Sequence, residues 1–380
     1  MRIDGSPEAV TFHECLAVQS IVSFGLAWTG TPATLSSFLP VTGPTVQGAL
    51  VMRVLVTGAT GFTGAHLVRR LLARGHDVTM LDVQRNAAAA EFEAAGARLI
   101  VGSVADANLV HKTVEGHEMV FHLAAAFRQI SESADFYRKV NVEGTRNVLA
   151  ASERHSVRKI IHCSTSGVHG GEKARLPRNE DSPIGPDDLY QQTKWGGEQA
   201  CQEFIKRGLD ITIVRPTSEY GPGDVHGMRS LFRVVKTGRF LMFGSGRGTV
   251  HPVYIDNLID LFELAANNDR SKGRAYLAGD DSPISLNDLV AAVGRAQGIN
   301  VKVTHIPLLQ PLYAASAVVE FACKPLKINP PIFRRRVAWF KANRAYSIER
   351  AKTELGYSPA IGLDEGLRRT AAWYQQQGFI

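Results

Sequence analysis

Residues 54–72 read VLVTGATGFTGAHLVRRLL, an apolar run that passes through a glycine-rich turn into a helical pattern. The apolar run predicts a buried β-strand, and the apolar residues after the turn recur at the spacing of one helix face. A second strand is predicted where HDVTMLD follows at 76–82. The stretch therefore predicts a strand–helix–strand unit with parallel strands.

The glycines of the turn, Gly58, Gly61 and Gly64, each have a separate physical reason to be there. Gly58 lets the chain turn sharply off the strand, Gly61 lets the backbone approach a pyrophosphate, and Gly64 lets the helix lie close to the sheet. The open N–H groups and the dipole at the start of the helix favour phosphate charge. The turn is therefore predicted to hold the pyrophosphate of a dinucleotide.

Asp82, at the end of the second predicted strand, indicates which dinucleotide this is. A carboxylate there accepts hydrogen bonds from the hydroxyls of the adenosine ribose and repels a 2′-phosphate, which favours NAD. Arg85 follows three residues later, and an arginine nearby is able to accommodate that phosphate. We therefore predict NAD as the cofactor, with NADP as the alternative.

Strands and helices continue to alternate along the chain. Short apolar runs predict buried strands at 97–104, 119–125 and 157–165, and an amphipathic pattern predicts one long helix at 134–155. Strands that alternate with helices form a parallel sheet with helices on both faces. The predicted fold class is therefore α/β, a Rossmann-type doubly wound parallel sheet.

Three regions are predicted along the chain. Residues 52–215 form an NAD(P)-binding Rossmann domain. Residues 216–380 form mainly a smaller C-terminal α/β substrate-binding domain, with some segments that return to the Rossmann sheet. Residues 1–51 contain no lysine and one arginine. Because MRVLVTGATG, beginning at Met52, reads as a natural protein start, we interpret residues 1–51 as an atypical extension, either disordered or a mis-assigned start.

The composition argues against several classes of function. The 380 residues carry a formal charge of +7, but the basic residues are scattered, and the densest run, FRRRVAWFK at 333–341, is mixed with apolar residues. A solvated helix face explains this run, so no nucleic-acid partner is predicted. Four cysteines without a CxxC spacing favour a reducing compartment, the cytoplasm, and argue against a structural zinc site. No apolar run reaches the roughly 18 to 20 residues of a membrane helix.

The sequence YQQTK at 190–194 carries the predicted chemistry. On a helix, Tyr190 and Lys194 share a face. An ammonium held close to a phenol lowers its pKa, which makes the tyrosine a usable acid or base near neutral pH. The same ammonium can hydrogen-bond the nicotinamide ribose.

A hydroxyl at a strand end is predicted to hold the reacting oxygen. Thr165 lies in CSTSGVHG, at the end of the strand that should abut the nicotinamide, with Ser164 and Ser166 as alternatives. We interpret His122 and His162, which lie in predicted strands, as core residues with satisfied hydrogen bonds. No metal is predicted, because no ligand spacing occurs among the histidines near the predicted cleft, His122, His162, His169 and His251.

Several motifs then occur in a recognisable order. They are HLAA at 122–125, NVEGTRNVL at 141–149, YQQTKWGGE at 190–198, RPTSEYGPG at 215–223 and HPVYIDN at 251–257. With the glycine turn, they resemble the extended short-chain dehydrogenase/reductase family, also called the NAD-dependent epimerase/dehydratase family. The resemblance covers roughly residues 52–375. It implies that Tyr190 takes or donates an alcohol proton while a hydride moves between the substrate carbon and nicotinamide C4, with Thr165 and Lys194 completing the catalytic trio.

The resemblance also implies the binding residues. Phe62 and Thr63 supply backbone N–H groups to the phosphates, and Ser103 stands at the adenine where the family usually has Asp. The cofactor-binding positions are Gly58, Gly61, Phe62, Thr63, Gly64, Asp82, Ser103, Val104, Leu123, Ala124, Ala125, Asn141, Tyr190, Lys194 and Pro216, with Arg85 added from the argument above. The positions assigned to the substrate are Ser166, His169, Thr217 and Ser218.

Members of this family often dimerise through two helices, here the one at 134–155 and the YxxxK helix. We therefore predict a homodimer, in which apolar positions of these helices serve either the interface or the core. Examples of such positions are Val140, Val148, Trp195 and Phe204.

Two departures from the family bear on the substrate. Nucleotide-sugar enzymes of the family usually have Asn at the position of Ser218 and Arg at that of Gly223. The apolar segment at 306–332 suits a hydrophobic pocket, a peripheral membrane contact or an ordinary core helix. We predict an alcohol/ketone oxidoreductase, closer to the hydroxysteroid dehydrogenase and dihydroflavonol reductase side, acting on a hydrophobic or polyol-like small molecule. A sugar epimerase or dehydratase is the alternative, and a non-catalytic dinucleotide sensor is a third.

Overall fold

The structure is a computed structural model that describes residues 51–127, 132–170, 176–323, 337, 340 and 343–380. Three of the interpretations above fall wholly or partly outside this part of the chain. They concern residues 1–50, most of the basic run at 333–341, and the end of the apolar segment beyond residue 323.

The first five strands lie within or next to the apolar runs predicted for them, and eight further strands were not predicted. In chain order the strands are β1 (Arg53–Thr57), β2 (Asp77–Asp82), β3 (Arg98–Val101), β4 (Met119–His122), β5 (Lys159–Cys163), β6 (Ile211–Pro216), β7 (Ser218–Tyr220), β8 (Arg239–Phe243), β9 (Thr249–Val250), β10 (Pro252–Tyr254), β11 (Ala275–Ala278), β12 (Ile284–Ser285) and β13 (Lys302–Ile306).

The helices connect these strands and lie on both faces of the main sheet. They are α1 (Phe62–Ala73), α2 (Ala87–Ala94), α3 (Ala107–Val114), α4 (Ala134–Arg138), α5 (Gly144–Arg154), α6 (Leu189–Lys206), α7 (Arg229–Lys236), α8 (Ile255–Ala266), α9 (Leu286–Ala296), α10 (Leu309–Cys323), α11 (Glu349–Leu355) and α12 (Leu363–Gln376). None of the helices in the described ranges combines the length and apolar character needed to cross a bilayer.

Seven parallel strands form the main sheet in the order β11-β6-β5-β4-β1-β2-β3. β1 lies inside this sheet, with Leu55 beside Thr79 of β2 and Val120 of β4. Strand order reverses between β1 and β4, and at such a switch point the carboxyl ends of the strands open a crevice for a ligand. The Rossmann-type parallel sheet predicted from the sequence is confirmed.

The smaller C-terminal sheets are two-stranded and contain the pairs β10–β7, β12–β9 and β13–β8. β11 also comes from the C-terminal half, yet it joins the main sheet at its edge, where Ala275–Ala278 run parallel to β6. One apolar core runs continuously from β1 and α1 to α8, α9 and α12. The two halves of the molecule are therefore joined by a shared sheet and a shared core.

The helix predicted at 134–155 is continuous but not uniform. A π-helical turn, Lys139–Glu143, separates α4 from α5. Such a turn inserts an extra residue into the helix and is frequent at functional sites. Hydrophobic periodicity did not reveal it, since the flanking helices keep their ordinary spacing. Its central residue, Asn141, is buried.

Candidate active site

Two of the three glycines in the turn have no space for a side chain, whereas the third has space. Gly58 has φ +70°, and a Cβ there would lie 2.7 Å from the backbone nitrogen of Ala124. A Cβ on Gly64 would collide with the carbonyl oxygen of Gly58. At Gly61 a Cβ would meet that carbonyl alone, at 3.4 Å. Among the described residues, no close neighbour requires position 61 to be a glycine. The bare backbone there therefore suits the close approach of a bound group.

The start of α1 fits an anionic ligand. The helix begins at Phe62. Its N-cap residue, Gly61, makes no side-chain capping hydrogen bond. Phe62 and Thr63 therefore lie in the first turn, where helix N–H groups face outward and the helix dipole favours negative charge. Together with the bare backbone at Gly61, this arrangement fits the pyrophosphate of a dinucleotide.

Asp82 lies beside this turn, at the end of β2. One carboxylate oxygen accepts a hydrogen bond from the backbone N–H of Thr60 at 2.9 Å, and the side chain is half-buried. The other carboxylate oxygen suits a ribose hydroxyl, because the bond to Thr60 fixes the side chain beside the turn. Arg85 forms a surface ion pair with Glu93 at 2.5 Å, so the arginine already has a carboxylate partner.

The remaining predicted cofactor positions line the carboxyl ends of β3 and β4. Ser103 caps the turn before α3, since its hydroxyl accepts the N–H of Ala105 at 3.2 Å. Val104 is buried. After β4 the chain leaves the sheet through three half-buried positions, Leu123, Ala124 and Ala125.

A buried hydrogen-bonded chain holds the end of β4. His122 contacts the hydroxyl of Thr57 at 2.8 Å and that of Thr145 at 3.0 Å, while the Thr57 hydroxyl also receives the N–H of Ala124 at 3.2 Å. Burial lowers the pKa of His122 to about 3, so the ring is neutral. The interpretation of His122 as a satisfied core residue is confirmed.

His162 differs from its neighbour in the sheet. The ring is fully buried, and both of its nitrogens have no hydrogen-bond partner among the described residues. The expectation of a satisfied core histidine was therefore wrong for His162. Burial, together with the charge of Lys194, lowers the pKa of His162 well below its ordinary value, so the imidazole stays neutral beside the ring of His122.

Asn141 uses its amide for bonds within the protein. Its oxygen accepts the N–H of Ala126 at 2.7 Å, and its nitrogen donates to the carbonyl of Ala126 at 3.2 Å and to the hydroxyl of Thr193 at 2.9 Å. These bonds use both amide hydrogens and one lone pair of the oxygen, so the direct cofactor contact of Asn141 stays a prediction that only the second lone pair could serve. The residue ties the loop after β4 to α6.

Two members of the predicted trio, Thr165 and Lys194, lie at the carboxyl end of β5. Lys194 is buried, and its ammonium donates to the carbonyl of Cys163, the last residue of β5, at 2.7 Å. Burial lowers the pKa of Lys194. Thr165 follows β5 and accepts the N–H of Gly167 at 3.1 Å, which leaves its O–H for donation. Tyr190, one helical turn before Lys194 on α6, is half-buried.

Beneath the trio lies a buried polar network that the sequence did not reveal. Ser164 donates to Glu198 at 2.5 Å, and Glu198 forms a paired contact with the guanidinium of Arg215, with distances of 2.7 and 3.0 Å. This removes Ser164 as an alternative to Thr165, because its hydroxyl points into the protein. One sign of this network was present in the sequence: Lys194 and Glu198 are four residues apart on α6 and so share a helix face.

His169 also belongs to this network. One ring nitrogen lies 3.1 Å from a guanidinium nitrogen of Arg215, and the other faces the carbonyl of Ser182 at 3.1 Å. The prediction that His169 contacts a substrate does not fit this arrangement, because both ring nitrogens are engaged within the protein. Burial and the charge of Arg215 lower the pKa of His169, so the ring can accept from the guanidinium.

The other predicted substrate positions are Ser166, which follows β5 and is buried, and Thr217 and Ser218, which follow β6 and are half-buried. Pro216, a predicted cofactor position, ends β6 and is buried. Thr217 donates its N–H to Ala278, but its buried hydroxyl has no partner within the described ranges. A buried hydroxyl without a partner is costly, so this oxygen suits a polar group of a bound molecule.

An aromatic ring that sequence reasoning missed lies at the mouth of the site. Phe127 is 43% exposed, and its ring centroid is 4.7 Å from that of Tyr190. Single exposed apolar side chains are common on protein surfaces, so it is the contact with Tyr190 that makes Phe127 a candidate binding surface. The position follows HLAA by two residues, which was the available signal.

The comparisons with known proteins agree with this geometry. The model of the NAD dependent epimerase/dehydratase family matches residues 54–279, more than half of the chain. The protein belongs to this family. The resemblance to the extended short-chain dehydrogenase/reductases is thereby confirmed, and the chain is an enzyme of that family.

Its relatives within the family carry out different reactions. A 2-alkyl-3-oxoalkanoate reductase of Stenotrophomonas maltophilia is 31% identical over 84% of this chain and 99% of its own. An N-acetyl-α-D-glucosaminyl-diphospho-ditrans,octacis-undecaprenol 4-epimerase of Escherichia coli O157:H7 is 30% identical over 83% of this chain and 93% of its own. A dTDP-glucose 4,6-dehydratase of Streptomyces venezuelae, crystallised with NAD, shares the fold with a TM-score of 0.68 at 24% identity, over 86% of this chain and 97% of its own.

Proposed function

We propose that the protein is an NAD-dependent oxidoreductase that interconverts a secondary alcohol and a ketone carrying an apolar group. One observation supports the proposal: the ammonium of Lys194 reaches the last residue of β5, two residues before Thr165, while Tyr190 lies one helical turn before Lys194 with the ring of Phe127 against its own. Residues 52–215 would hold the dinucleotide, and residues 216–380 most of the substrate.

In the proposed reaction each residue has a separate task. NAD, when bound, accepts or supplies the hydride. The phenol of Tyr190 takes the alcohol proton in oxidation and returns it in reduction. The O–H of Thr165 donates to the substrate oxygen and fixes its position, and the ammonium of Lys194 stabilises the phenolate. Asn141 acts through others, because it ties the loop after β4 to the helix of Tyr190.

NAD is proposed rather than NADP because of the two charged groups near the ribose position. Asp82 presents a carboxylate there, and Arg85 is paired with Glu93. A 2′-phosphate would meet the carboxylate and would have to displace Glu93 from the arginine. The description of the family as NAD dependent supports the same choice.

An apolar ketone is proposed as the substrate for two reasons. Phe127 offers an aromatic surface within reach of the reacting oxygen. The reductase from Stenotrophomonas maltophilia is named for a 2-alkyl-3-oxoalkanoate, in which the ketone lies between an alkyl chain and an alkyl-branched carbon that also carries a carboxylate. The residue Ser218, which replaces the expected Asn, lacks the amide that nucleotide-sugar enzymes of the family use.

The test is reduction by NADH of 2-alkyl-3-oxoalkanoates by the full-length protein and its Tyr190→Phe variant. We expect turnover in the wild type, and a loss of at least 10²-fold in kcat for the variant, with NADH binding unchanged. Tyr276→Phe is the control, since the Tyr276 hydroxyl is bonded to Glu354 and does not belong to the trio. Unchanged turnover in Tyr190→Phe would refute the mechanism.

The sugar epimerase is the second candidate, supported by the relative from Escherichia coli. An epimerase regenerates its cofactor within each turnover and has no need to release it. The purified protein is therefore desalted and denatured, and any released nucleotide is identified. Protein that emerges without nucleotide but binds added NADH reversibly favours the oxidoreductase, whereas NAD retained in stoichiometric amount favours the epimerase.

A homodimer is also proposed, with a smaller surface than the sequence indicated. Val148 and Phe204 are buried in the core of the protomer, so they cannot serve the interface. Val140 and Trp195 are half-buried and stay candidates. Sedimentation at several concentrations tests the assembly.

The free cysteines at positions 163, 201 and 323 suit the reducing cytoplasm that we propose as the location of the protein.

A further inference from the structure

Three residues of α6 that are spaced by four positions lie in one row along the helix. They are Tyr190, Lys194 and Glu198. The ammonium of Lys194 donates to the carbonyl of Cys163, the last residue of β5, at 2.7 Å. The carboxylate of Glu198 accepts the O–H of Ser164, the next residue of the chain, at 2.5 Å. The helix is therefore held to two consecutive residues at the end of the strand.

Thr165, which is proposed to hold the substrate oxygen, directly follows these two contacts. Ser164 is also bonded through its backbone, since its N–H donates to the carbonyl of Val214 in β6 at 2.7 Å. Ser164 is buried, and both of its donors are engaged by neighbouring elements. Thr165 therefore leaves the sheet from a residue that α6 and β6 hold in place.

The carboxylate that accepts from Ser164 is itself held from another side. Arg215 of β6 donates to Glu198 through Nε at 3.0 Å and through Nη2 at 2.7 Å. The guanidinium also donates to the carbonyl of Glu180 at 3.2 Å and lies 3.1 Å from the ring of His169. The side chain of Glu198 is fully buried, so water does not compete for these bonds. A satisfied buried network of this kind makes its surroundings rigid.

We propose that Ser164 and Glu198 are positioning residues, which set the distance between Thr165 and the tyrosine–lysine pair on α6. Neither residue contacts the substrate or the cofactor, and both act through Thr165 and α6. The inference rests on the proposed function, because it concerns the geometry of the same reaction. A displacement of reacting groups by about 1 Å can cost about 10²-fold in rate. The bond between Ser164 and Glu198 should therefore act on kcat rather than on the binding of either reactant.

The test begins with Ser164→Ala, which removes the O–H and leaves the ion pair of Glu198 with Arg215 in place. In the NADH-linked reduction of 2-alkyl-3-oxoalkanoates, kcat should fall by at least about tenfold, with KM and the Kd for NADH unchanged. Ser164→Thr keeps a hydroxyl at this position and should recover most of the lost rate. The matched control is Ser152→Ala, which should keep the wild-type kcat. Ser152 on α5 is also buried, but its hydroxyl has no partner in the part of the chain that the structure describes.

A second measurement follows the position of Thr165 without turnover. The hydroxyl of Thr165 accepts the N–H of Gly167 at 3.1 Å, so hydrogen–deuterium exchange at the Gly167 amide reports whether Thr165 keeps its place. The exchange should be faster in Ser164→Ala than in the wild type. It should be unchanged in Ser152→Ala and in Ser164→Thr.

The outcomes separate the inference from the function on which it rests. A merely structural bond would lower the midpoint of urea unfolding in Ser164→Ala without changing kcat or the exchange at Gly167, and that result overturns the inference. An equal loss of kcat in Ser152→Ala also overturns it. A wild type that reduces none of the ketones contradicts the proposed function, and the exchange at Gly167 then decides the positioning by itself: a rate unchanged by Ser164→Ala overturns it, and a faster rate supports it.

Discussion

Arg215 and Glu198 form a paired contact in the interior of the protein, with both side chains almost completely removed from solvent. A second paired arginine–glutamate contact, in which Arg146 uses its two terminal guanidinium nitrogens on Glu203, lies on the surface between α5 and α6. The two pairs have the same chemistry and differ in their burial. They therefore allow the energetic effect of burial to be measured within one molecule.

Arg215→Met should lower the free energy of unfolding by about 3–5 kcal/mol, because it leaves the carboxylate of Glu198 buried without its partner. Arg146→Met should cost at most about 1 kcal/mol, because both partners there are solvated. Urea unfolding followed by circular dichroism measures both. Equal losses in the two variants would show that burial does not govern the contribution of the inner pair. The double variant Arg215→Met/Glu198→Gln should recover part of the loss.

Gly58→Ala should weaken dinucleotide binding by at least tenfold and destabilise the protein. The new Cβ would lie 2.7 Å from the backbone of Ala124, so the turn would have to open towards the cofactor site. Gly75→Ala is the matched control: Gly75 also has positive φ, but a Cβ there meets no atom within 4 Å. The Gly75→Ala variant should lose about 1 kcal/mol of folding free energy, from backbone strain alone. Calorimetric titration with NADH and thermal unfolding separate the two effects.

The stability of the protein should fall with acid in a way that depends on His122. Burial lowers the pKa of this imidazole to about 3 in the folded protein, whereas the unfolded chain takes up the proton near pH 6.5. Stability from this residue is therefore complete above pH 6.5 and decreases as pH falls towards 3, by about 1.4 kcal/mol per pH unit.

In His122→Gln this dependence should be absent. The difference in unfolding free energy between wild type and variant should then shrink by about 1.4 kcal/mol per pH unit between pH 6 and 4. Urea unfolding at half-unit steps provides the measurement. Parallel curves for the two proteins over this range would contradict the assignment of a neutral buried ring. The curves should run parallel above pH 7.5.

Phe127→Ala should lower kcat/KM for ketones with long apolar chains by about tenfold and leave small ketones almost unaffected, because only a long chain gains from contact with the ring. Val51→Ala is the control, since Val51 is an exposed apolar residue before β1, at the opposite end of that strand from the glycine turn. The measurement is a series of NADH-linked rates with increasing chain length. A uniform loss for all ketones would assign Phe127 to the orientation of Tyr190 rather than to the substrate.

Local sequence signals were sufficient for the cofactor half of the fold. The turn between β1 and α1 could be predicted because the glycines, the strand before them and Asp82 after them lie within thirty residues of one another. The π-helical turn at Asn141 could not, because one inserted residue changes the facing of a helix without changing its composition. The unsatisfied ring of His162 also gave no local sign.

Contacts between distant parts of the chain set the limit of the prediction. Glu198 is separated from Arg215 by 17 positions and Thr63 from Glu219 by 156. Each of these residues reads as an ordinary polar side chain within its own segment, so its partner becomes visible only in the folded protein. Charge and burial at such positions are properties of the tertiary structure rather than of any motif.

The pairing of β11 with β6 has a consequence for how the protein is made. All six residues of β6 are buried, and its outer edge is covered only when residues 275–278 have been synthesised. A ribosome that has completed β6 has thus produced a sheet with an open edge, and such edges pair readily with other chains. Premature termination between the two strands should give an aggregating fragment rather than a small nucleotide-binding protein. The cofactor half therefore depends on the substrate half for its solubility as soon as it is translated.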